Sequence, residues 1–202
     1  MRGGRGVAVL LAGGRGERLA AGVPKALVRF GDRTLLAHAL VRLRSLVHEI
    51  RVVAPAVLDL GPLDGARLVA DPPGDTGPLG ALVAGLGCAP YEGAALVFAV
   101  DLPGVSPDAL RALLAARGDA PAVIASVDGI PQPLAGGYTM IAAEGLARAW
   151  QAGERSLTRA ALGVGARVVP AESLPGGSAL WLNVNTPADL ARALGFAKGA
   201  SA

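Results

Sequence analysis

The chain has one cysteine and two histidines among its 202 residues. A lone Cys88 excludes an intramolecular disulfide and any cysteine-clustered metal site; in its apolar helical surroundings it reads as a small core residue. Aromatic residues contribute 3%, too few for the stacking platforms of nucleic-acid binders. The arginines are scattered instead of gathered into a basic stripe, so nucleic acid is not expected as a partner. Lysine is rare: Lys25 and Lys198 are the two in the chain. No apolar stretch reaches the roughly 18 residues of a membrane span. The run Val7–Ala12 is too short for a signal peptide. The expectation is a cytoplasmic protein with no membrane partner.

What is present argues for a globular fold. Hydrophobic residues make up 52% and charged ones 17%, the opposite of a disordered composition. The length fits one domain, residues 1–202. Gly 29 and Pro 15 occur with no Gly-X-Y period, which means many tight turns and no collagen.

Short apolar runs alternate with helical patterns. Val7–Ala12, Ile50–Ala54, Arg67–Ala70, Ala95–Val100 and Ala122–Ser126 read as strands bounded by Gly, Pro or Asp. Thr34–Leu46, Leu79–Gly87 and Asp108–Ala116 carry apolar residues at helical spacing. Ser106-Pro107 is a helix start, with a capping Ser and Pro at the first helical position. Near-continuous apolar strands suit a sheet covered on both faces, so the class is α/β with a mostly parallel sheet. Towards the C-terminus, Pro131–Tyr138 reads as an edge or antiparallel strand because of its prolines. Ala142–Gln151 and Ser156–Leu162 read as helices, Arg167–Val169 and Ala179–Leu182 as strands, and Thr186–Leu194 as a closing helix.

Ligands of an open parallel sheet bind beyond the carboxyl ends of the strands, and four groups stand there. The first is the glycine-rich turn Gly13-Gly14-Arg15-Gly16-Glu17-Arg18, with Pro24-Lys25 beyond it. Its backbone amides can form an anion nest, and Arg15, Arg18 and Lys25 add three cations. A triphosphate fits that charge density. The turn is not a dinucleotide fingerprint, since the third glycine position holds Leu19, and Gly22-Val-Pro-Lys25-Ala is not a P-loop. The second group is Asp71, ahead of Gly77-Pro-Leu-Gly80, able to accept bonds from a nucleoside or to cap a turn. Asp101 follows Leu96–Val100 and can hold Mg²⁺, an ion that takes one or two carboxylates and phosphate oxygens. The fourth group, Asn183 and Asn185, points to one side of a strand end, towards a substrate or the metal.

In this order these segments resemble the MobA-like nucleotidyltransferases, in particular the molybdenum cofactor guanylyltransferase group. The matching residues are Leu11-Ala-Gly-Gly-Arg with Pro24-Lys25, Asp71 with Gly77-Pro-Leu-Gly80, and Asp101-Leu-Pro103. Pro131-Gln-Pro-Leu134, Gly153-Glu-Arg-Ser156 and Asn183-Val-Asn-Thr-Pro-Ala-Asp-Leu190 complete the set. The resemblance implies a Rossmann-like three-layer sandwich and an Mg²⁺-dependent transfer of GMP from GTP to molybdopterin, with release of pyrophosphate. It also implies transient contact with other cofactor-biosynthesis proteins. Leu11, Ala12, Gly13 and Gly14 would hold base and ribose through backbone groups. Lys25 would meet the triphosphate, Asp71 the nucleoside and Asp101 the metal, with Asn183 and Asn185 near acceptor or metal. Lys25 and Arg15 or Arg18 would stabilise the charge of the leaving group.

Pro24-Lys25 and Ala54-Pro55-Ala56 depart from the guanylyl pattern, and Pro-Lys is shared with cytidylyl relatives. The alternatives are a transferase using CTP or another phosphorylated acceptor (cytidylyl, sugar-phosphate or phospholactate type), or a nucleotide-binding protein without catalysis. His38 and His48 are read as structural or surface residues.

Overall fold

In the computed structural model, residues 6–14, 16, 19, 22–74 and 76–199 are described. Among the described residues nine strands form: β1 Val7–Leu11, β2 Arg29–Phe30, β3 Arg33–Thr34, β4 Glu49–Ala54, β5 Arg67–Ala70, β6 Ala94–Ala99, β7 Ala122–Val127, β8 Ile130–Thr139 and β9 Ala166–Pro170. The helices are α1 Leu35–Arg44, α2 Gly77–Gly87, α3 Pro107–Ala115, α4 Met140–Gln151, α5 Leu157–Gly163 and α6 Pro187–Gly199.

The main sheet has the order β5-β4-β1-β6-β8-β7-β9, and β2 and β3 form a separate small hairpin that the apolar pattern did not predict. All pairings in the main sheet are parallel except those of β8, which runs against both β6 and β7. Alternate residues of each strand serve opposite faces. Ala8, Leu10, Val52 and Phe98 belong to the core under α1, α3 and α6; Val9, Leu11, Val53 and Val97 belong to the core under α2, α4 and α5. Strand β1 is buried along its whole length, as a strand covered on both faces must be. Helix α2 lies so close to the sheet that a Cβ on Gly85 would come within 2.4 Å of Val9 and 2.7 Å of Val53. Among the described residues, no helix is long and apolar enough to cross a membrane.

The helix starts follow their sequence signals. Ser106 accepts from the Ala109 amide at 3.1 Å, ahead of Pro107. At α6, Thr186 Oγ1 accepts from the Asp189 amide while Asp189 Oδ2 accepts from the Thr186 amide, a reciprocal cap that satisfies otherwise orphaned donors.

Two expectations are corrected. Strand β8 is antiparallel, as one of the two readings had it, but it is an inner strand between β6 and β7 and not an edge. Its prolines are tolerated because pairing with β6 begins at Ala135, beyond both of them. The register to β7 also shifts between Ile124 and Ala125, so Pro133 falls in an irregularity, one of the places where a sheet accepts proline. The inner stretch is then Gly136-Gly137, where a Cβ would stand 2.3 Å from the Val123 carbonyl oxygen or 2.4 Å from Leu114. Residues 179–182 are not a strand: Ser178–Trp181 is a 3₁₀ turn. It follows Gly176 and Gly177, both at positive φ, and it sinks Trp181 completely into the core.

Candidate active site

The order of the sheet reverses its direction of growth around β1. The chain moves outward through β4 and β5, then crosses back by α2 to β6 on the other side of β1. The crevice at such a reversal is where ligands bind in open α/β sheets. The turn after β1 and the turn after β6 stand side by side there, with the Val100 amide donating to the Leu11 carbonyl at 3.4 Å.

Lys25 is delivered to the crevice by its own turn. The 3₁₀ turn Lys25–Leu27 follows Pro24, and the Lys25 amide donates to the Gly14 carbonyl at 3.1 Å. Gly16 lies at φ +67°, and a Cβ there would press to 3.0 Å on the Lys25 backbone. Only glycine combines that conformation with that approach. The Lys25 side chain is nearly buried, at 10% exposure, and its Nζ donates to Asp101 Oδ2 at 2.8 Å and to Asn185 Oδ1 at 2.7 Å. An ammonium has three donors, so among the described residues one N–H remains for a ligand. The Val184 amide donates to the Asp101 carbonyl at 2.8 Å, locking the segment before α6 onto the turn that carries Asp101.

A cleft of 630 Å³ opens beside this pair, bordered by Leu11, Gly13, Gly14, Pro55, Asp71 and Gly77. Ala12 is fully buried behind it, where its amide donates to the Val53 carbonyl at 2.8 Å. The Asp71 amide donates to the Ala54 carbonyl at 2.9 Å, which aims its carboxyl across the strand ends. A Cβ on Gly13 would lie 3.5 Å from that carboxyl. Desolvation raises the Asp71 pKa above the ordinary carboxylate value, opposed by the Thr76 hydroxyl at 3.5 Å. A second cleft of 360 Å³ is bordered by Gln132, Pro133, Arg155, Ser156 and Asn183. Asp101 borders both clefts.

The predicted residues therefore separate into groups. Leu11, Gly13, Gly14, Lys25, Asp71 and Asp101 converge on the first cleft, and Asn185 joins Lys25 and Asp101. Asn183 parts from Asn185, since their segment is not a strand. Its amide donates to Gln132 Oε1 at 3.2 Å in the second cleft. Arg15 and Arg18 lie outside the described residues. His38 holds the β2–β3 hairpin, bonding the Phe30 carbonyl at 2.8 Å, and burial lowers its pKa.

Gln132, Arg155 and Ser156 stood in segments that the resemblance quoted, but no role was read for them. Their meeting with Asn183 depends on β8 returning antiparallel beside β6, which no local pattern announces. Arg42 gave no signal at all. It donates from α1 to the carbonyls of Leu102 and Pro103.

Among the described residues, no three or more His, Cys, Asp or Glu cluster to hold a metal ion. Of the two described carboxylates in the first cleft, Asp71 and Asp101, Asp101 stands beside Lys25 with the amide oxygen of Asn185 next to it. Hard oxygen donors that leave most positions open suit Mg²⁺ in company with phosphate oxygens, so the residues present fit that ion.

The sequence profile of the MobA-like NTP transferase domain matches residues 8–166. A molybdenum cofactor guanylyltransferase of Pseudomonas paraeruginosa is 33% identical over 187 residues, covering 91% of this chain and 92% of that protein. One from Cereibacter sphaeroides is 35% identical over 188 residues, covering 92% and 93%. Among solved structures, the molybdopterin-guanine dinucleotide biosynthesis protein A of Archaeoglobus fulgidus aligns with a TM-score of 0.77 at 25% identity, over 96% of this chain and 99% of that one. The 2-C-methyl-D-erythritol 4-phosphate cytidylyltransferase of Thermus thermophilus shares the fold, with a TM-score of 0.71 at 23% identity over 96% and 99%.

Proposed function

The chain belongs to the MobA-like NTP transferase family and is a nucleotidyltransferase, and we propose that it moves GMP from GTP to the phosphate of molybdopterin with release of pyrophosphate. The observation that carries this reading is the position of Asp101, paired to Lys25 and shared by two clefts. The first cleft takes the nucleotide and the second the acceptor, so the reacting groups meet where the positive charge is fixed.

The chemistry needs no general base. An oxygen of the acceptor phosphate, already anionic, attacks the α-phosphorus of GTP. The new P–O bond forms as the bond to the β-phosphate oxygen breaks, and its electron pair leaves with pyrophosphate. The barrier lies in bringing two anions together and in the charge gathered on the leaving group, so catalysis is positional and electrostatic. The Lys25 ammonium, held by Asp101 and Asn185, offers its remaining N–H to the triphosphate without first having to reorganise. The backbone of Gly13 and Gly14 lets the nucleotide approach closely, and Asp71 accepts from the nucleoside. Asp101, with Asn185 beside it, would hold Mg²⁺, which when bound neutralises phosphate charge and polarises the phosphoryl group. Arg15 and Arg18 add positive charge to the same turn. In the second cleft, Gln132 and Asn183 supply amides, and Arg155 and Ser156 supply donors for a polar acceptor.

Base recognition follows the turn after β4. Ala54 is fully buried, so Pro55, not Ala54, borders the cleft, and the purine edge is left to backbone groups and Asp71. The test is pyrophosphate release with each of the four nucleoside triphosphates, Mg²⁺ and molybdopterin. Release with GTP alone among the four supports the reading. Release with CTP instead overturns the base while keeping the reaction class. Binding of GTP with no pyrophosphate from any acceptor overturns the activity.

A further inference from the structure

One arginine outside both clefts is tied to the turn that carries Asp101. Arg42 sits in the last turn of α1, and its guanidinium carbon lies 5.8 Å from the centre of the Phe98 ring, in β6. Its Nη1 donates to the Leu102 carbonyl at 3.3 Å and its Nη2 donates to the Pro103 carbonyl. Burial draws its pKa down to about 10, which leaves it fully charged at neutral pH. Within the turn the Val105 amide also donates to the Leu102 carbonyl at 3.4 Å, and from the far side the Val184 amide donates to the Asp101 carbonyl at 2.8 Å. The Leu180 carbonyl stands where a Cβ on Gly104 would come within 2.7 Å. The turn is thus gripped between the segment before α6 and a cation reaching over from α1.

A surface role fits Arg44 and Arg111, which also donate to carbonyls, of Leu63, Asp64 and Ser45, at exposed positions that border neither cleft. Arg42 differs in its target and its enclosure. A planar guanidinium fork bonds two neighbouring carbonyls at once, which a lysine ammonium does not reproduce. The carbonyls it holds belong to the two residues directly after Asp101.

We propose that Arg42 is a positioning residue of this enzyme: by clamping the Leu102 and Pro103 carbonyls it fixes the turn bearing Asp101, and so sets where the Asp101 carboxylate meets Lys25 between the two clefts. This rests on the role given to Asp101 above for its kinetic consequence, but not for its structural one. The readout uses the scarcity of lysine. With ¹³C-lysine labelling, Lys25 and Lys198 give the two side-chain signals of the native chain. D101N, which removes the ion pair, marks where the Lys25 signal moves when the pairing is lost.

R42M keeps the stem over Phe98 and loses the fork. Its Lys25 signal is expected to move towards the D101N position. Its kcat for pyrophosphate release should fall about 10- to 100-fold, the scale of a misplaced catalytic group, with the KM for GTP at its wild-type value. R42K, with charge but no planar fork, should recover part of the loss at most. If R42M does not fold, R42K carries both readouts, its added lysine being the signal absent from the native spectrum. An unmoved Lys25 signal with wild-type kcat per folded molecule in these variants overturns the clamp while leaving the activity intact. A displaced Lys25 signal in a protein whose wild type releases no pyrophosphate overturns the activity and supports the clamp.

Discussion

The two clefts that meet at Asp101 are built in different ways. The first is made of strand ends: the turn after β1, Asp71 after β5 and Asp101 after β6, each placed by the backbone ladder of the parallel part of the sheet. The second sets the end of β6 and Pro78 against separate segments from β8, the loop before α5 and Asn183, and those segments are held by side chains. Asn183 bonds Gln132, and the Tyr138 hydroxyl donates to the Pro133 carbonyl at 2.7 Å across the irregular part of β8. Glu154 gathers the amides of Arg155 and Ser156 and the Arg159 guanidinium. A site on strand ends is fixed by the sheet ladder, whereas a site on loops is fixed by whatever side chains bridge it.

The comparison can be broken most severely at the shared residue. D101N keeps the size of the side chain and an oxygen for Lys25 but removes the charge. Turnover should fall by about 10³-fold or more, at the upper end for losing one preorganised electrostatic group. A rise in KM for both substrates with kcat unchanged would show that Asp101 serves binding alone. K25A should cost about 10²-fold in kcat, measured by pyrophosphate release, with a further loss of stability because Asp101 is left without its cation.

Substitution in the second cleft separates the two substrates. N183A and Q132A are each expected to raise the acceptor KM by about tenfold, the equivalent of ~1.4 kcal/mol, while the KM for GTP stays unchanged. A matching rise for GTP would mean that the clefts are not functionally distinct.

The first cleft was also the legible one. Its strands are near-continuous apolar runs, its glycines sit in a turn directly after β1, and Lys25 and Asp101 follow local punctuation that survives folding. The caps of α3 and α6 were readable for the same reason, since Ser106 and Thr186 bond amides within three residues. The second cleft was not readable. The place of β8 is decided by Gly136 and Gly137 accepting close neighbours and by a register shift, which are tertiary facts. Residues 179–182 form a short continuous apolar run like that of a strand, yet burial of Trp181 and the contact at Gly104 favour a turn. Asn183 and Asn185 share a spacing of two residues but serve different clefts. Lys25 was expected to face a phosphate; that it already holds both Asp101 and Asn185 required knowing that the start of α6 packs beside β6.

The smallest expected effect lies in the loop between α4 and α5. Hydrogen bonds from Arg159, then from the Ser156 amide, hold the Glu154 carboxyl down to about 2 from its ordinary 4.5. A carboxyl with a lowered folded-state pKa stabilises the protein above its unfolded pKa, and that contribution disappears as pH falls from about 4.5 to about 2. Because the group is exposed, the effect is modest and weakens with salt. Thermal melting of wild type and E154Q should therefore differ above pH 4.5 and converge on acidification through this window. A constant difference across it would remove Glu154 from the support of the second cleft.

The most direct test of the account is a structure of the protein with a non-hydrolysable GTP analogue, Mg²⁺ and molybdopterin. It should place the α-phosphate beside the Lys25 ammonium and the Asp101 carboxylate, with the acceptor phosphate entering from the side of Gln132 and Asn183. Phosphates lodged away from Lys25 and Asp101, or both substrates bound in one cleft, would contradict it.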